Sequence, residues 1–218
     1  MIKAVIFDFD DTMVDSEPLH QKAWDLLLAN YGFKLKDIPI EKRKKFIGMK
    51  SSDVARDIVS SLKIAEDPQS FYQKKAGIFM DLVRSELKPL NGLINCLNFL
   101  HEANYTLAIA TSGVKQYVNF VLNSLELFTY FKVIVTAEDV IYGKPDPEIY
   151  VTASKKLNLK PSECLVIEDA TNGIIAAKKA DCKCVAVRNS NTLLQDLSYA
   201  DLVIDSLNKL NSEIINSL

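Results

Sequence analysis

The sequence predicts an α/β fold: a parallel sheet with helices on both faces, interrupted after its first strand by a small all-α insertion. Three observations predict it. Short apolar, β-branched runs recur along the 218 residues; from residue 90 onward they alternate with helical patterns; and between Val14 and Lys88 there is helical periodicity but no convincing strand. Strand and helix in alternation imply parallel strands joined by right-handed crossovers, a Rossmann-like core.

The first strand is read over 4–8. It is followed by helical patterns over about 17–31, 41–47, 52–63 and 69–86, punctuated by Gly32, Pro39, Gly48 and Pro68. Ser16 is the expected N-cap of the first, with Glu17 and Pro18 in its opening turn. These helices are expected to form a separate cap over 15–87, inserted into a core of 1–14 and 88–218. Its two crossings, near 13–17 and 84–90, would make a hinge. The remaining strands are read over 106–111, 132–136, 163–168, 183–187 and 202–204, with helices over about 91–103, 114–126, 146–158 and 170–180 and a terminal helix around 206–217. The run Glu41-Lys42-Arg43-Lys44-Lys45 reads as a solvated helix face.

Composition narrows the function. With 48% hydrophobic and 25% charged residues, the chain has the profile of a soluble globular protein. A net charge of −2 leaves no basic footprint for nucleic acid or anionic lipid, so an anionic substrate must be attracted by local groups. No apolar stretch is long enough to span a bilayer, and the N-terminus carries no secretory pattern, so a cytoplasmic protein is expected. Cys96, Cys164, Cys182 and Cys184 lack framework spacing and read as small buried hydrophobes. A monomer is expected.

Open parallel sheets bind ligands beyond the carboxyl ends of their strands, and there this sequence concentrates its chemistry. The first strand ends in Asp8-Phe9-Asp10-Asp11-Thr12. If strand geometry persists, Asp8 and Asp10 face the same side. Two carboxylates in one volume suit a nucleophile and a proton-transfer partner, with a hard cation screening an anionic substrate. The same aspartates would also serve as a turn and a helix cap. The second strand ends in Thr111-Ser112-Gly113 before a helix, a seat for phosphate or an ordinary turn. After the third comes Gly143-Lys144-Pro145-Asp146-Pro147, where the prolines stiffen the backbone and Asp146 can cap the next helix. Lys144 is then either a rigidly placed ammonium or an exposed loop lysine. The fourth runs into Glu168-Asp169, a second acidic tip. Together these supply a nucleophile, an acid/base, metal ligands, phosphate donors and a balancing cation, the parts needed for phosphoryl transfer through an aspartyl-phosphate.

These four segments, in this order and with the helical insertion, resemble the motifs of the haloacid dehalogenase superfamily across nearly the whole chain. The stretch from Phe7 to His20 is especially similar to the subgroup of beta-phosphoglucomutase and small sugar-phosphate phosphatases. The resemblance implies Asp8 as nucleophile and Asp10 as general acid and base. It implies phosphate held by Thr111, the Ser112 amide and Lys144, and Mg²⁺ held by Asp8, the Asp10 carbonyl, Asp169 and Glu168. The substrate implied is a small phosphorylated metabolite.

Two departures matter. Asp11 stands where the subgroup more often has Gly. In the mutase, a basic residue before the cap-loop glycine and an arginine three after it grip a second phosphate; here Ile47 and Ser51 occupy those places, and Lys50 is the nearby replacement. A phosphatase is therefore preferred over a phosphomutase, with a catalytically silent binding protein as the reading of another class. His20 either reaches the active site or packs among Leu19, Ala23, Trp24 and Leu27. Trp24, Tyr72 and Phe79 are expected in the cap core.

Overall fold

The computed structural model describes residues 1–192 and 195–218. Six strands, β1 (Ala4–Phe7), β2 (Thr106–Ala110), β3 (Phe131–Val135), β4 (Cys164–Glu168), β5 (Lys183–Val187) and β6 (Leu202–Ile204), form one sheet in the order β3-β2-β1-β4-β5-β6. Every pairing is parallel, so all carboxyl ends lie on one edge. The expected strands match these to within a residue or two, because each is a compact β-branched run with a polar tip.

The period of two sorts the strand residues between two layers. Val5, Phe7, Leu107, Ile109, Leu165 and Ile167 face one cluster with α5 (Leu93–Glu102), α6 (Lys115–Ser124) and α9 (Ser212–Ser217). Ala4, Ile6, Ala108, Ala110, Val166 and Cys184 face the other, with α7 (Glu148–Lys156) and α8 (Thr171–Lys179). All four cysteines are free and buried, as expected.

The inserted helices are α1 (Glu17–Ala29), α2 (Ile40–Phe46), α3 (Ser51–Leu62) and α4 (Pro68–Glu86). They pack around their own cluster, in which Trp24, Leu27, Leu28, Val54, Ile58 and Phe71 are buried. Where the chain leaves and re-enters the sheet it is tied to itself: Asp15 N–H donates to Lys88 O (2.9 Å), Leu90 N–H donates to Met13 O (2.9 Å), and Val14 bridges Pro89. Among the described residues no helix is long and apolar enough to cross a membrane.

Three local expectations need correction. Residues 206–217 do not form one helix: a 3₁₀ turn at Leu207–Lys209 precedes α9, because Ser206 and Asn211 each cap a separate start and Leu207 and Leu210 are drawn into the core. Strand geometry does not persist to Asp10, since β1 ends at Phe7 and Asp11 takes a left-handed backbone (φ 56°). Ser16 makes no side-chain cap to α1. The Asp11 carboxylate accepts instead from the Ser16 and Glu17 N–H groups, both at 3.2 Å, so the residue that departs from the usual glycine caps α1 from the strand tip.

Asp11→Ala removes that acceptor and places a β-carbon without a local hydrogen-bonding side chain in the left-handed region, so a loss of about 1–3 kcal/mol is expected in urea unfolding. Asp11→Asn, which keeps an acceptor and tolerates the backbone, is expected to lose less than half of that.

Candidate active site

The site forms where β1 is flanked by β2 and β4, beyond their carboxyl ends. Asp8 N–H still pairs with Ile167 O (2.9 Å), which fixes the Asp8 side chain beside Glu168. Lys144 reaches both from the loop after β3: its Nζ lies 2.5 Å from Asp8 Oδ1 and 2.7 Å from Glu168 Oε1. The Lys144 side chain is 1% exposed, so the exposed-loop reading fails. Its loop contains a cis Lys144–Pro145 peptide, and the Asp146 carboxylate accepts from Glu148 N–H (3.0 Å) at the start of α7.

Glu168 is saturated with donors. Oε1 accepts from Lys144 and from the Tyr150 hydroxyl (2.6 Å); Oε2 accepts from the Asp169 and Ala170 N–H groups at 2.9 and 3.1 Å. The carboxylate occupies the space over Gly173, where an added β-carbon would sit 1.6 Å from Oε1. Asp169 differs: Oδ1 accepts from Thr12 Oγ1 (3.1 Å), while Oδ2 is buried without a partner.

Asp8, Glu168 and Asp169 present carboxylate oxygens within 4.8 Å of one another. Three carboxylates against the single ammonium of Lys144 leave two negative charges in a buried volume. Burial pushes the Asp8 carboxyl up to about 7 against the pull of Lys144, with Glu168 adding to the rise. Burial, then Glu168, also carries Asp169 well above the usual carboxylate range. Such a cluster with one orphaned oxygen fits a hard divalent cation, which would reverse both shifts.

Asp10 belongs to a different network. Its Oδ1 accepts from Ser16 Oγ (2.6 Å) and the Tyr117 hydroxyl (2.7 Å), with His20 Nε2 at 3.8 Å. Burial opposes its ionisation, but His20, Ser16 and Tyr117 outweigh it, so the carboxyl titrates below its usual value. Asp10 and Asp8 nonetheless line one cavity of about 210 Å³. His20 stacks on Phe79, with ring centroids 4.0 Å apart, and its Nδ1 lies 2.5 Å from Lys75 Nζ. Burial lowers the Lys75 pKa to about 7; below that pH the ammonium only donates, so Nδ1 accepts and the proton sits on Nε2, toward Asp10. Both alternatives for His20 therefore hold at once: it packs, and it lines the cavity.

Thr111 is buried and accepts from Gly113 N–H (2.9 Å). Ser112 also lines the cavity, but its hydroxyl donates to Gly48 O (2.9 Å) in the inserted segment. Lys50 lines the cavity, but its ammonium already donates to Val140 O (2.9 Å) and Ile141 O (3.3 Å). The charged run 41–45 is not wholly solvated, since Arg43 and Lys44 line the cavity beside Trp24, Tyr72 and Phe79. Reading the sequence alone passes over Lys75, buried at 1% exposure. The legible sign was a lysine between Phe71 and Phe79 at intervals of four, in the middle of an apolar stripe.

A sequence profile of the haloacid dehalogenase-like hydrolases matches residues 5–187. The chain belongs to this family. A validoxylamine A 7'-phosphate phosphatase of Streptomyces hygroscopicus subsp. limoneus is 30% identical, with 96% of each chain covered. A phosphorylated carbohydrates phosphatase of Thermotoga maritima is 32% identical over 82% of each. Among solved structures, a beta-phosphoglucomutase from Clostridium difficile superposes with a TM-score of 0.83 at 28% identity, covering 100% of this chain and 96% of that one. The hydrolase thus shares its fold with a mutase and its sequence with phosphatases, so the residues of the inserted segment must distinguish the two.

Two outcomes follow from this geometry. Gly173→Ala forces Glu168 off its donors, and a loss above about 3 kcal/mol is expected in thermal or urea unfolding. Burial, reinforced by Lys75, lowers the His20 pKa to about 4 against the pull of Asp10. The unfolded chain therefore takes up this proton first, and its contribution to stability falls as pH drops from about 6.5 toward 4. In ¹⁵N spectra the His20 ring is expected to remain the neutral Nε2–H tautomer from pH 6.5 to pH 5, where Lys75 keeps its proton.

Proposed function

We propose that this hydrolase is a Mg²⁺-dependent phosphatase of a small phosphate monoester, a sugar phosphate foremost, working through a phosphoryl group carried on Asp8. The observation that carries the reading is the Lys144 ammonium fixed between Asp8 and Glu168 at 2.5 and 2.7 Å. It holds the nucleophile in place, and its charge favours an approaching phosphate.

In this reading an Asp8 oxygen attacks phosphorus and the ester P–O bond breaks, while Asp10 gives its proton to the leaving oxygen. Asp10 then takes a proton from water, which attacks the aspartyl-phosphate, frees inorganic phosphate and restores Asp8. The donors around Asp10 favour its ionised form, suited to the second step; an arriving phosphate anion raises its proton affinity for the first. Thr111 and the Ser112 amide seat the phosphoryl oxygens. Asp8, the Asp10 carbonyl and Asp169, with Glu168 beside them, would hold a Mg²⁺, which when bound would supply electrostatic stabilisation of phosphoryl charge. Residues 15–87 act as the cap, hinged on the paired segments 13–15 and 88–90, and exclude bulk water over the core of 1–14 and 88–218.

Phosphatase is favoured over phosphomutase by the cap loop. Ile47 and Ser51 are uncharged, the Lys50 ammonium is engaged by core carbonyls, Arg43 Nε donates to Ile38 O (3.0 Å) and Lys44 lies 3.3 Å from Glu41. Lys50, Arg43 and Lys44 are thus already partnered within the protein, which weighs against a ready-made grip on a second phosphate. The relatives named as carbohydrate-phosphate and validoxylamine-phosphate phosphatases support the substrate class.

The test is phosphate release from a panel of sugar phosphates and an activated aryl phosphate. Release is expected with Mg²⁺, lost with chelator, and reduced about 10³-fold or more in Asp8→Asn with folding intact. Wild-type turnover by Asp8→Asn would remove Asp8 as nucleophile. Turnover that appears only with a bisphosphate activator would make the enzyme a mutase.

A further inference from the structure

We propose that Lys50 is a positioning residue for Lys144, a tie from the cap that completes the catalytic lysine's loop only when the cap is closed. This rests on the phosphatase reading of Lys144 and goes beyond it. Lys50 stands immediately before α3, where a positive charge is disfavoured by the helix dipole. Its side chain leaves the helix and crosses to the loop after β3, donating to the carbonyls of Val140 and Ile141. Its aliphatic stem lies on Gly143, where an added β-carbon would stand 3.1 Å from Lys50 Cγ. Gly143 directly precedes Lys144.

Val140 is packed in the core, but Ile141 and Tyr142 are 78% and 64% exposed, so beyond Val140 polar ties must hold the backbone. Glu148 accepts from the Ile141 and Tyr142 N–H groups, and Asp146 N–H donates to Gly143 O (3.0 Å). These ties come from the core, and the loop's order is completed from outside it. Lys50 is the tie that comes from the cap. The other contacts of the 44–50 segment run elsewhere: Ser112 to Gly48 O, Asn172 to Lys45 and Ile47 O, Gln195 to Lys44 O. They join loops that carry no catalytic ammonium. Closure is thereby linked to the placement of the charge that steadies Asp8, so a substrate that fails to close the cap meets an incomplete site.

The test compares wild type with Lys50→Met, which keeps the stem and removes the donor, and Lys50→Arg, which keeps a donor. Readouts are kcat and KM on a sugar monophosphate and a sugar bisphosphate, and hydrogen exchange of the Ile141 and Tyr142 amides. Lys50→Met is expected to lower kcat about tenfold on both substrates with KM little changed, since sub-ångström misplacement acts on the chemical step. It is also expected to speed exchange of those amides about tenfold, and Lys50→Arg is expected to recover most of both. Unchanged kcat and exchange in a folded Lys50→Met would overturn the proposal. So would a KM rise confined to the bisphosphate, which would make Lys50 a phosphate ligand. If wild type hydrolyses no monoester, the phosphatase reading fails on its own, and the exchange rates alone decide whether Lys50 holds the loop.

Discussion

A buried ammonium held between two carboxylates from different strands is the constraint around which this protein is arranged. Removing Lys144, Asp8 and Glu168 from water costs several kcal/mol per ion, and only close geometry with further donors offsets it. The further donors are there: the Tyr150 hydroxyl and the Asp169 and Ala170 amides complete Glu168. They come from β4, its following turn and α7, while β1 sets Asp8 and the loop after β3 sets Lys144. Helices on the small-residue face of the sheet are thus tied to the site through one carboxylate. Gly173 is part of the same constraint, since no other residue leaves Glu168 its place.

Opposite this rigid half is a second network that joins the site to the inserted helices. Asp10 collects hydroxyls from Ser16 and Tyr117, His20 stands beside it, and Lys75 stands behind His20 on α4. One half of the cavity belongs to the sheet, the other to helices that enter and leave through two paired segments. Asp8 and Asp10 both stand at the tip of β1, while His20 and Lys75, which complete the Asp10 side, stand on the inserted helices. That division suits an enzyme that must admit a phosphate ester, shield it from bulk water and release two products.

Much of the fold was legible because parallel strands buried on both faces read as compact apolar runs, and the tips were legible because charges after such runs stand out. Asp8, Lys144, Glu168 and Asp169 all meet where those tips predicted. What was not legible depended on partners distant in sequence. Ser16 looks like an N-cap by local rules, yet Asp11 takes that role because its left-handed backbone turns the carboxylate toward α1. Lys50 looks like a substrate cation by position in its loop, yet carbonyls about ninety residues away engage it. Lys75 hid because charge on a helix is ordinarily solvated, and only its place between Phe71 and Phe79 marked it.

The seat of the 44–50 segment carries a consequence for how such an enzyme changes over generations. Ser112, Asn172 and Gln195 hold it by the carbonyls of Lys44, Lys45, Ile47 and Gly48, and carbonyls are the same in every amino acid. Side chains over 44–47 can be exchanged without unseating the loop, so substitutions there that reshape what the cavity accepts need not wait for compensating ones. A family in which one scaffold serves many phosphate esters is what a backbone-read lid would permit.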